Sequence, residues 1–419
     1  MGWTAAVKWW VLACLHTCLE WVLAVVFGTV VLTRLVFAFM RGAVRDPRVR
    51  DAPPPCLEHP DLGRHKFLKL QQNVKLHYVE AGNPEAQLVV MLHGAPDFWF
   101  TWRKQITTLS LDFCVVALDL RGCGDSDAPS RSSQYATPIV ARDVASLITV
   151  LGRDKAHLVC AGQGGQVGWY LSYHYPQLVS KMVLIHAPHP YVIRQYINTR
   201  WANYLKSWYL YFVRLPYVPE LAAHVSDNGM IDQMFSPLVA AKAITEDEIE
   251  AYKFTFSRRE DWRGPLNHLR QMDLSKVVKE EPLPDVITKP TLLLMGEADP
   301  ALPMDLAYRS AEYVERITVR QVKGRGHLAH VSQAPQVNEA IGEFLREMPW
   351  RPLSPLEEKS SSSLVRRVMG ASLAAVTSTV NKTTGALEMT TRGLPIGFKT
   401  MAQGSIKLAE SKLGLEYDY

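Results

Sequence analysis

The longest hydrophobic stretch of the chain lies near its N-terminus and covers residues 9–40. Few polar residues interrupt it: His16, Thr17, Glu20, Thr29, Thr33 and Arg34. A helix of about 20 predominantly apolar residues crosses the roughly 30 Å hydrocarbon core of a bilayer. The apolar part of a signal peptide covers only about 7–15 residues, so the stretch predicts a retained transmembrane helix.

A second pattern follows, in which short apolar runs alternate with stretches of helical periodicity. Strands that are buried on both faces give short continuous apolar runs, and crossover helices connect them. The pattern is typical of an α/β fold with a mostly parallel sheet. The predicted parallel strands are 88–92, 114–120, 157–160, 181–185, 291–295 and 317–322. Before them, 66–71 and 74–82 alternate between polar and apolar residues like a hairpin of two edge strands.

The strand pattern stops between His189 and Ile287. Aromatic-rich segments of helical periodicity, such as 201–212 and 246–256, replace it. We expect this insertion to form a helical cap over the carboxyl edge of the sheet, where ligands bind in such folds.

These patterns divide the chain into successive parts. We expect a membrane anchor with a basic flank at 1–50 and a linker at 51–65, which contains three consecutive prolines. The two parts of the α/β core are 66–190 and 287–350, with the cap at 191–286 and a last core helix at 336–348. A Ser/Thr/Ala-rich tail, 351–419, follows. Two interpretations of the tail stay open: weak amphipathic helices on a lipid surface, or a disordered or fold-packing extension.

Charge and cysteine content narrow the function classes. A net charge of +5, spread along 419 residues, is too weak to indicate nucleic-acid binding. Six irregularly spaced cysteines do not form a disulfide framework. The arginines that follow the apolar stretch (Arg41, Arg45, Arg48 and Arg50) outweigh Lys8 before it, which predicts a cytosolic main domain by the positive-inside rule, with the endoplasmic reticulum as the expected membrane.

Candidate chemistry lies where predicted strands end. His327 follows the last predicted strand in the sequence Gly324-Arg325-Gly326-His327, the topological position of a general base. The backbone N–H of Ala95, after the strand 88–92, would form half of an oxyanion hole, and the N–H of Gln163 the other half. His330 is expected to face elsewhere, and 119–126 is expected to be a structural loop.

Several motifs together resemble the epoxide hydrolases of the α/β-hydrolase fold, particularly their membrane-anchored animal members. The resemblance covers residues 56–350. Four motifs carry it. The first is Cys56-Leu57 with Pro60-Asp61-Leu62-Gly63, and the second is His93-Gly94-Ala95-Pro96-Asp97-Phe98-Trp99 with Thr101-Trp102-Arg103. The third is Asp119-Leu120-Arg121-Gly122-Cys123-Gly124-Asp125-Ser126, and the fourth is Gly264-Pro265-Leu266-Asn267. It implies that Asp299 orients the base His327. It also implies that Tyr209 is the first of two cap tyrosines that donate protons to an epoxide oxygen. From the residues alone, two other interpretations stay open: Asp299 as a turn residue before proline, and Tyr209 as part of an aromatic core stripe.

Two positions depart from the family pattern. The nucleophile elbow of the family is small-His-Asp-Trp-Gly-Gly, and the same frame here is Cys160-Ala161-Gly162-Gln163-Gly164-Gly165. Gly162 therefore stands where the resemblance places the nucleophilic aspartate. Leu269 stands where it places the second tyrosine. An elbow tip commonly has a positive φ, which glycine adopts without strain.

Three functions remain open from the sequence. The first is a membrane-anchored pseudoenzyme that binds a lipophilic small molecule, or a protein partner, without turnover. The second is an active hydrolase of lipophilic epoxides or esters, in which His327 and Asp299 activate water. The third is a membrane organiser that uses its anchor and tail. No metal or cofactor is expected for any of them.

Overall fold

The structure is a computed structural model that describes residues 3–44, 48–70, 73–272, 286–297, 299, 302–324 and 328–346. His327 and the tail 351–419 lie outside the described residues. The helices are α1 Trp3–Met40, α2 Arg103–Leu109, α3 Thr137–Val150, α4 Gln163–His174, α5 Pro190–Thr199, α6 Trp201–Lys206, α7 Trp208–Phe212, α8 Val218–Ala240, α9 Glu246–Thr255, α10 Arg263–Arg270, α11 Asp305–Ser310, α12 Ala329–Ser332 and α13 Ala334–Arg346. The strands are β1 Arg64–Lys69, β2 Lys75–Ala81, β3 Leu88–Leu92, β4 Cys114–Leu118, β5 Ala156–Ala161, β6 Val179–Ile185, β7 Thr291–Gly296 and β8 Ile317–Val322.

The strands form one sheet in the order β1-β2-β4-β3-β5-β6-β7-β8. The strands β3 to β8 pair in parallel, which confirms the α/β sheet and each of the predicted parallel strands. β2 pairs antiparallel with β1 on one side and with β4 on the other. The hairpin is therefore confirmed, but the prediction that both its strands are edge strands is wrong, since only β1 lies at the edge.

Side chains of alternate strand residues enter two separate hydrophobic layers. In β3, Val89 and Met91 pack into one layer with α2, α13 and the cap, whereas Leu88, Val90 and Leu92 pack into the other with α3 and α4. This alternation follows from the two-residue repeat of a strand. Every residue of β3 is buried, which explains its continuous apolar run.

The loop that follows β4 is structural, as expected. The strand ends at Leu118, two residues before its predicted end, because Asp119 leaves the sheet to bind other groups. The carboxylate of Asp119 accepts the N–H of Trp99 at 2.7 Å and lies 2.7 Å from Nδ1 of His77. Burial alone would lower the pKa of His77, but the hydrogen bond and charge of Asp119 outweigh it and raise this pKa.

Several element boundaries differ from the expected ones. β1 begins at Arg64, inside the predicted linker. The segment 201–212 forms two helices, α6 and α7, separated by Ser207. The last core helix is Ala334–Arg346, so it begins two residues before its predicted start. Such ends depend on capping and packing, which hydrophobic periodicity does not specify.

The long helix α1 contains the segment Thr17–Met40, which is apolar and long enough to cross a membrane. The later half of α1 packs against the cap rather than standing apart from it. Leu23 and Ala24 are buried with Tyr211, and Phe27 and Leu215 pack against this cluster.

Candidate functional site

A cavity of about 260 Å³ lies at the carboxyl edge of the sheet, beneath the cap. Residues from the loops after β3, β5 and β6 form its floor: Gly94, Ala95, Pro96, Asp97, Gly162, Gln163 and His186. Residues of the cap form its walls: Ile193, Tyr196, Ile197, Lys206, Ser207, Tyr209, Leu210, Met234, Pro237, Leu238, Leu269 and Met272. Most of these walls are hydrophobic, so the cavity suits an apolar molecule.

Gly162 occupies the sharp turn between β5 and α4. Its backbone has φ 48° and ψ −115°, and its N–H donates to the carbonyl of Ile185 at 3.0 Å. The positive φ that we expected for the elbow is therefore confirmed. A residue with a side chain would be strained in this conformation by about 1–3 kcal/mol. Gly162 faces the cavity and has no side chain to offer for chemistry.

The glycines that follow allow α4 to approach the sheet closely. A Cβ atom on Gly164 would lie 2.3 Å from the carbonyl oxygen of Leu92, and one on Gly165 would lie 2.2 Å from Cβ of Ala187. Both distances are shorter than van der Waals contact. The helix can start directly beneath the cavity only because these positions carry no side chain.

Gly164→Ala is expected to destabilise the protein by about 3 kcal/mol, because the backbone of β3 cannot move away from the added methyl group without disturbing the sheet. Chemical denaturation of the solubilised protein measures this loss. Gly229→Ala is the matched control, since its Cβ would meet nothing closer than Cβ of Ser226 at 3.4 Å. Equal stabilities of the two variants would contradict the close packing of α4.

The two residues expected to form an oxyanion hole both line the cavity. Gln163 is the first residue of α4, where an N–H has no acceptor within the helix. A Cβ atom on Gly94, next to Ala95, would lie 3.8 Å from the nitrogen of Gln163, which places the two loops side by side. His93 fixes the Gly94 loop: its Nε2 accepts the N–H of Leu120 at 3.1 Å, so its Nδ1–H donates to the carbonyl of Gly94 at 2.6 Å.

Asp299 is held in place by two groups. Its Oδ1 accepts the N–H of Leu302 at 3.2 Å, and its Oδ2 lies 3.0 Å from Nδ1 of His186. Nε2 of His186 accepts the N–H of Gly296 at 3.2 Å, so the neutral ring carries its proton on Nδ1, which lies within ion-pair distance of the Asp299 carboxylate. The neutral His186 ring therefore has no nitrogen lone pair left with which to act as a base.

Sequence analysis missed His186, although it directly follows a predicted strand, as the candidate residues do. Its role depends on the neighbouring strand β7, which ends at Gly296 and is followed by Asp299. The expected partner of Asp299, His327, lies outside the described residues, so this pairing stays a prediction.

The expectation that His330 faces elsewhere is wrong. His330 is buried and lines the cavity, where its Nε2 lies 2.8 Å from Oγ1 of Thr101. The carbonyl of His330 accepts from the amide of Gln105 at 2.8 Å. The short helix α12, which begins at Ala329, turns this ring inward, and periodicity gave no signal for so short a helix.

A second residue that sequence analysis missed is Asp97, whose carboxyl group lines the cavity with the side chain almost fully buried. Its Oδ1 accepts the N–H of Phe98 at 2.9 Å and the hydroxyl of Tyr252 at 3.0 Å. Burial raises the pKa of Asp97 to about 7, despite these hydrogen bonds and the nearby charge of Arg103. The cavity therefore contains a carboxyl group that gains or loses its proton near neutral pH.

Tyr209 and Leu269 both line the cavity, and the roles assigned to these positions stay predictions. Tyr209 belongs to α7 and Leu269 to α10. Leu269 packs against the main hydrophobic core. A phenol is therefore present on one wall of the cavity and a hydrocarbon side chain stands at the other position.

Within the described ranges, no three His, Cys, Asp or Glu side chains are grouped so that they could hold a metal ion. The cysteines of the core are also unsuited to chemistry: burial raises the pKa of Cys123 and Cys160, so their thiols stay protonated.

Comparison with known proteins places this architecture in a family. The family model of the α/β-hydrolase fold matches residues 87–334. The chain is 33% identical over 327 residues to epoxide hydrolase 4 of Homo sapiens, which covers 75% of this chain and 89% of that protein. It is 32% identical over 339 residues to epoxide hydrolase 3 of Mus musculus, covering 78% of this chain and 90% of that protein.

A solved structure gives the same assignment. The crystal structure of an epoxide hydrolase from Bacillus megaterium in complex with an inhibitor matches with a TM-score of 0.61 and 27% sequence identity, over 67% of this chain and 100% of that one. The chain therefore belongs to the α/β-hydrolase-fold family, as an epoxide-hydrolase-like member with one N-terminal helix long and apolar enough to anchor it in a membrane.

Proposed function

We propose that the protein is a membrane-anchored pseudoenzyme whose pocket holds a lipophilic ligand without forming a bond to it. The single observation that carries this proposal is Gly162: the elbow tip faces the cavity and has no side chain. Leu269 supports it, because an aliphatic side chain cannot donate a proton to a leaving oxygen. We further propose that α1 anchors this pocket at a membrane, with the main domain in the cytosol and the endoplasmic reticulum as the organelle.

The remaining polar groups indicate what kind of ligand the pocket takes. The N–H groups of Ala95 and Gln163 and the phenol of Tyr209 are hydrogen-bond donors on different sides of the same cavity. They suit a ligand with one acceptor oxygen, such as an epoxide, carbonyl or hydroxyl oxygen. Isoleucine, leucine and methionine side chains surround the rest of the cavity and suit a hydrocarbon body.

The test uses the purified full chain and fatty-acid epoxides. We expect the epoxide to raise the unfolding temperature of the protein, since a ligand that binds only the folded state stabilises it. We expect no diol formation above that of His327→Ala. Mass spectrometry should find no covalent adduct on the peptide that contains Gly162. Rapid diol formation that His327→Ala abolishes would overturn the proposal.

Slow diol formation would support a second candidate function, a hydrolase in which His327 and Asp299 activate water directly. One observation favours this candidate: the carboxylate of Asp299 accepts the N–H of Leu302 and lies 3.0 Å from Nδ1 of His186, so it is held at the end of the sheet where an acid that supports a base would stand. An oxyanion hole and binding alone can leave roughly 10³- to 10⁴-fold catalysis over water after a nucleophile is removed. Slow turnover that depends on His327 would therefore identify this activity.

A further inference from the structure

The anchor helix and the cap form one continuous unit. The rings of Phe27 and Trp208 lie 6.0 Å apart, and a Cβ atom on Gly28 would lie 2.3 Å from Cδ1 of Leu215. An ion pair reinforces this contact, since Arg214 donates to Glu20 at 2.6 Å. The contact therefore joins α1 to α7 and to the turn that follows it.

The chain after α1 is also tied to the cap. Arg50 makes two hydrogen bonds to the carboxylate of Asp227, at 2.7 and 2.9 Å, and donates to Glu250 at 3.0 Å. The N–H of Arg48 donates to Asp227 at 3.0 Å. Glu20 near the start of the apolar segment and Arg48 and Arg50 after it thus all contact the cap. These contacts hold α1 along the cap.

The outward side of α1 is apolar over the same length. Its 38 residues give a helix of about 57 Å, well beyond the roughly 30 Å of a hydrocarbon core. Glu20, Ala24, Phe27 and Gly28 turn towards the cap. Exposed valines lie between these residues and just after them: Val22, Val25, Val26 and Val30. The same stretch of α1 carries these valines on one side and contacts the cap on the other. Lipid that covers the valines therefore also reaches the neighbouring cap surface.

The cap surface beside α1 is suited to lipid. Five large hydrophobic or aromatic side chains are exposed on it, with the charged Lys206 exposed among them: Leu205, Trp208, Tyr209, Tyr217 and Leu221. Tyr217 is 74% exposed. Tryptophan and tyrosine concentrate at the membrane–water interface, where one end of the ring is apolar and the other is hydrated. We name these five residues the cap face.

The mouth of the cavity lies at the cap face. Among the described residues that line the cavity, the exposed ones are Lys206, Tyr209 and Pro237. The five-residue helix α7 places Trp208 against Phe27 of the anchor and the next residue, Tyr209, in the cavity wall. A lysine at this mouth can extend its ammonium group to lipid phosphates while its carbon chain stays in the apolar layer.

We propose that the cap face lies in the lipid interface, so that the cavity opens into the bilayer and its ligand enters from the lipid. The partner of this surface is the phospholipid bilayer itself. The inference rests on the proposed function, because it supplies the route by which a lipophilic ligand reaches the pocket. It explains why the exposed aromatic residues Trp208 and Tyr209 lie where the cavity mouth adjoins an apolar helix.

The first experiment measures the depth of the cap face. The full chain, with Cys14, Cys18 and Cys56 replaced by serine, receives one new cysteine at Tyr217→Cys or Leu221→Cys, which is labelled with the fluorophore NBD in phosphatidylcholine vesicles. We expect lipids with brominated acyl chains to quench both labels about twofold or more. The control is Leu111→Cys, which replaces an apolar residue on the surface of the α/β part of the protein that is 82% exposed. Quenching at the cap face no stronger than at position 111 would overturn the inference.

The second experiment tests the entry route with cis-parinaric acid, a fluorescent fatty acid. The double variant Tyr217→Glu with Leu221→Glu is expected to load the acid from vesicles about tenfold more slowly than wild type, since charges are costly in the interface. Leu111→Glu with Val150→Glu adds the same charge to exposed apolar positions of the core and is expected to load like wild type. Unchanged loading by the cap-face variant would refute entry from the lipid. If wild type does not bind the acid at all, both the entry route and the lipophilic pocket fail, whereas the NBD quenching still decides separately where the cap face lies.

Discussion

Gly162→Asp combined with Leu269→Tyr is expected to raise the rate of fatty-acid epoxide hydrolysis by about 10³-fold or more over wild type. The aspartate would place a carboxylate at the elbow tip, beside the N–H groups of the oxyanion hole. The tyrosine would add a second phenol to Tyr209, so that both are available to protonate the opening epoxide. Loss of a single nucleophile costs such enzymes about four to six powers of ten. Ala161 and Gln163 also depart from the family pattern, so the regained rate is expected to be smaller than this loss.

The matched control is Gly162→Asn with Leu269→Phe. These side chains have nearly the same shape, but they provide neither a nucleophile nor a proton donor, so the control should remain inactive. Addition of His327→Ala to the active pair should trap the covalent intermediate, because the base that hydrolyses it is absent. The trapped ester would appear in the mass of the peptide that contains Asp at position 162. A folded but inactive aspartate–tyrosine variant would show that the cavity no longer holds an epoxide in the geometry of attack.

Strain at the elbow limits this experiment, and the structure gives its size. The φ of 48° at Gly162 costs a residue with a side chain about 1–3 kcal/mol. The wild type avoids this strain, because glycine adopts the positive φ freely. An enzyme with an aspartate at the same position must hold it in a strained backbone conformation. The active variant is therefore expected to unfold at a lower temperature than wild type, and the asparagine control should show the same loss.

Local patterns were sufficient to predict the architecture and the elbow. The strands from Leu88 to Val322 are buried on both faces or follow a helical connection, so each leaves an apolar run of strand length. A Cβ atom at Gly164 or Gly165 would lie only 2.3 or 2.2 Å from a neighbouring atom, so these two positions require glycine. Because the glycines are required, the elbow motif can be recognised from a single sequence. Tyr209 and Leu269 were located only through the family resemblance, because nothing in the cap periodicity marks a cavity wall.

Residues whose role depends on distant parts of the chain were not predictable. His186 acts through Gly296 and Asp299, more than a hundred positions later in the sequence. His330 is turned inward by Thr101, and Asp97 is buried by Tyr252 of the cap. The docking of α1 on the cap depends on Arg214 and Glu20, which appeared in the sequence as separate charges. Hydrophobic periodicity describes which face of an element is buried and does not name its partner.

Asp97→Asn is expected to remove a contribution to stability that falls between about pH 4 and pH 7. Burial raises the pKa of Asp97 from 3.8 to about 7 in the folded protein. In this window Asp97 holds a proton in the folded state that it has released in the unfolded state, so the contribution of this carboxyl group to the free energy of unfolding falls as the pH rises. Each pKa unit corresponds to about 1.4 kcal/mol, which gives a loss of up to about 4 kcal/mol by pH 8.

The asparagine variant avoids this loss, because an amide does not ionise. The hydrogen bonds from the N–H of Phe98 and the hydroxyl of Tyr252 both end on Oδ1 of Asp97, and the amide oxygen of asparagine can accept both. We therefore expect Asp97→Asn to match wild type near pH 4 and to be more stable than wild type by up to about 4 kcal/mol at pH 8. Denaturant unfolding of the solubilised chain across this range measures the difference, with Asp61→Asn as a control at an exposed carboxylate. Parallel curves for wild type and Asp97→Asn would mean that this carboxyl group is ionised at little cost, and that the cavity floor is more polar than its hydrophobic walls indicate.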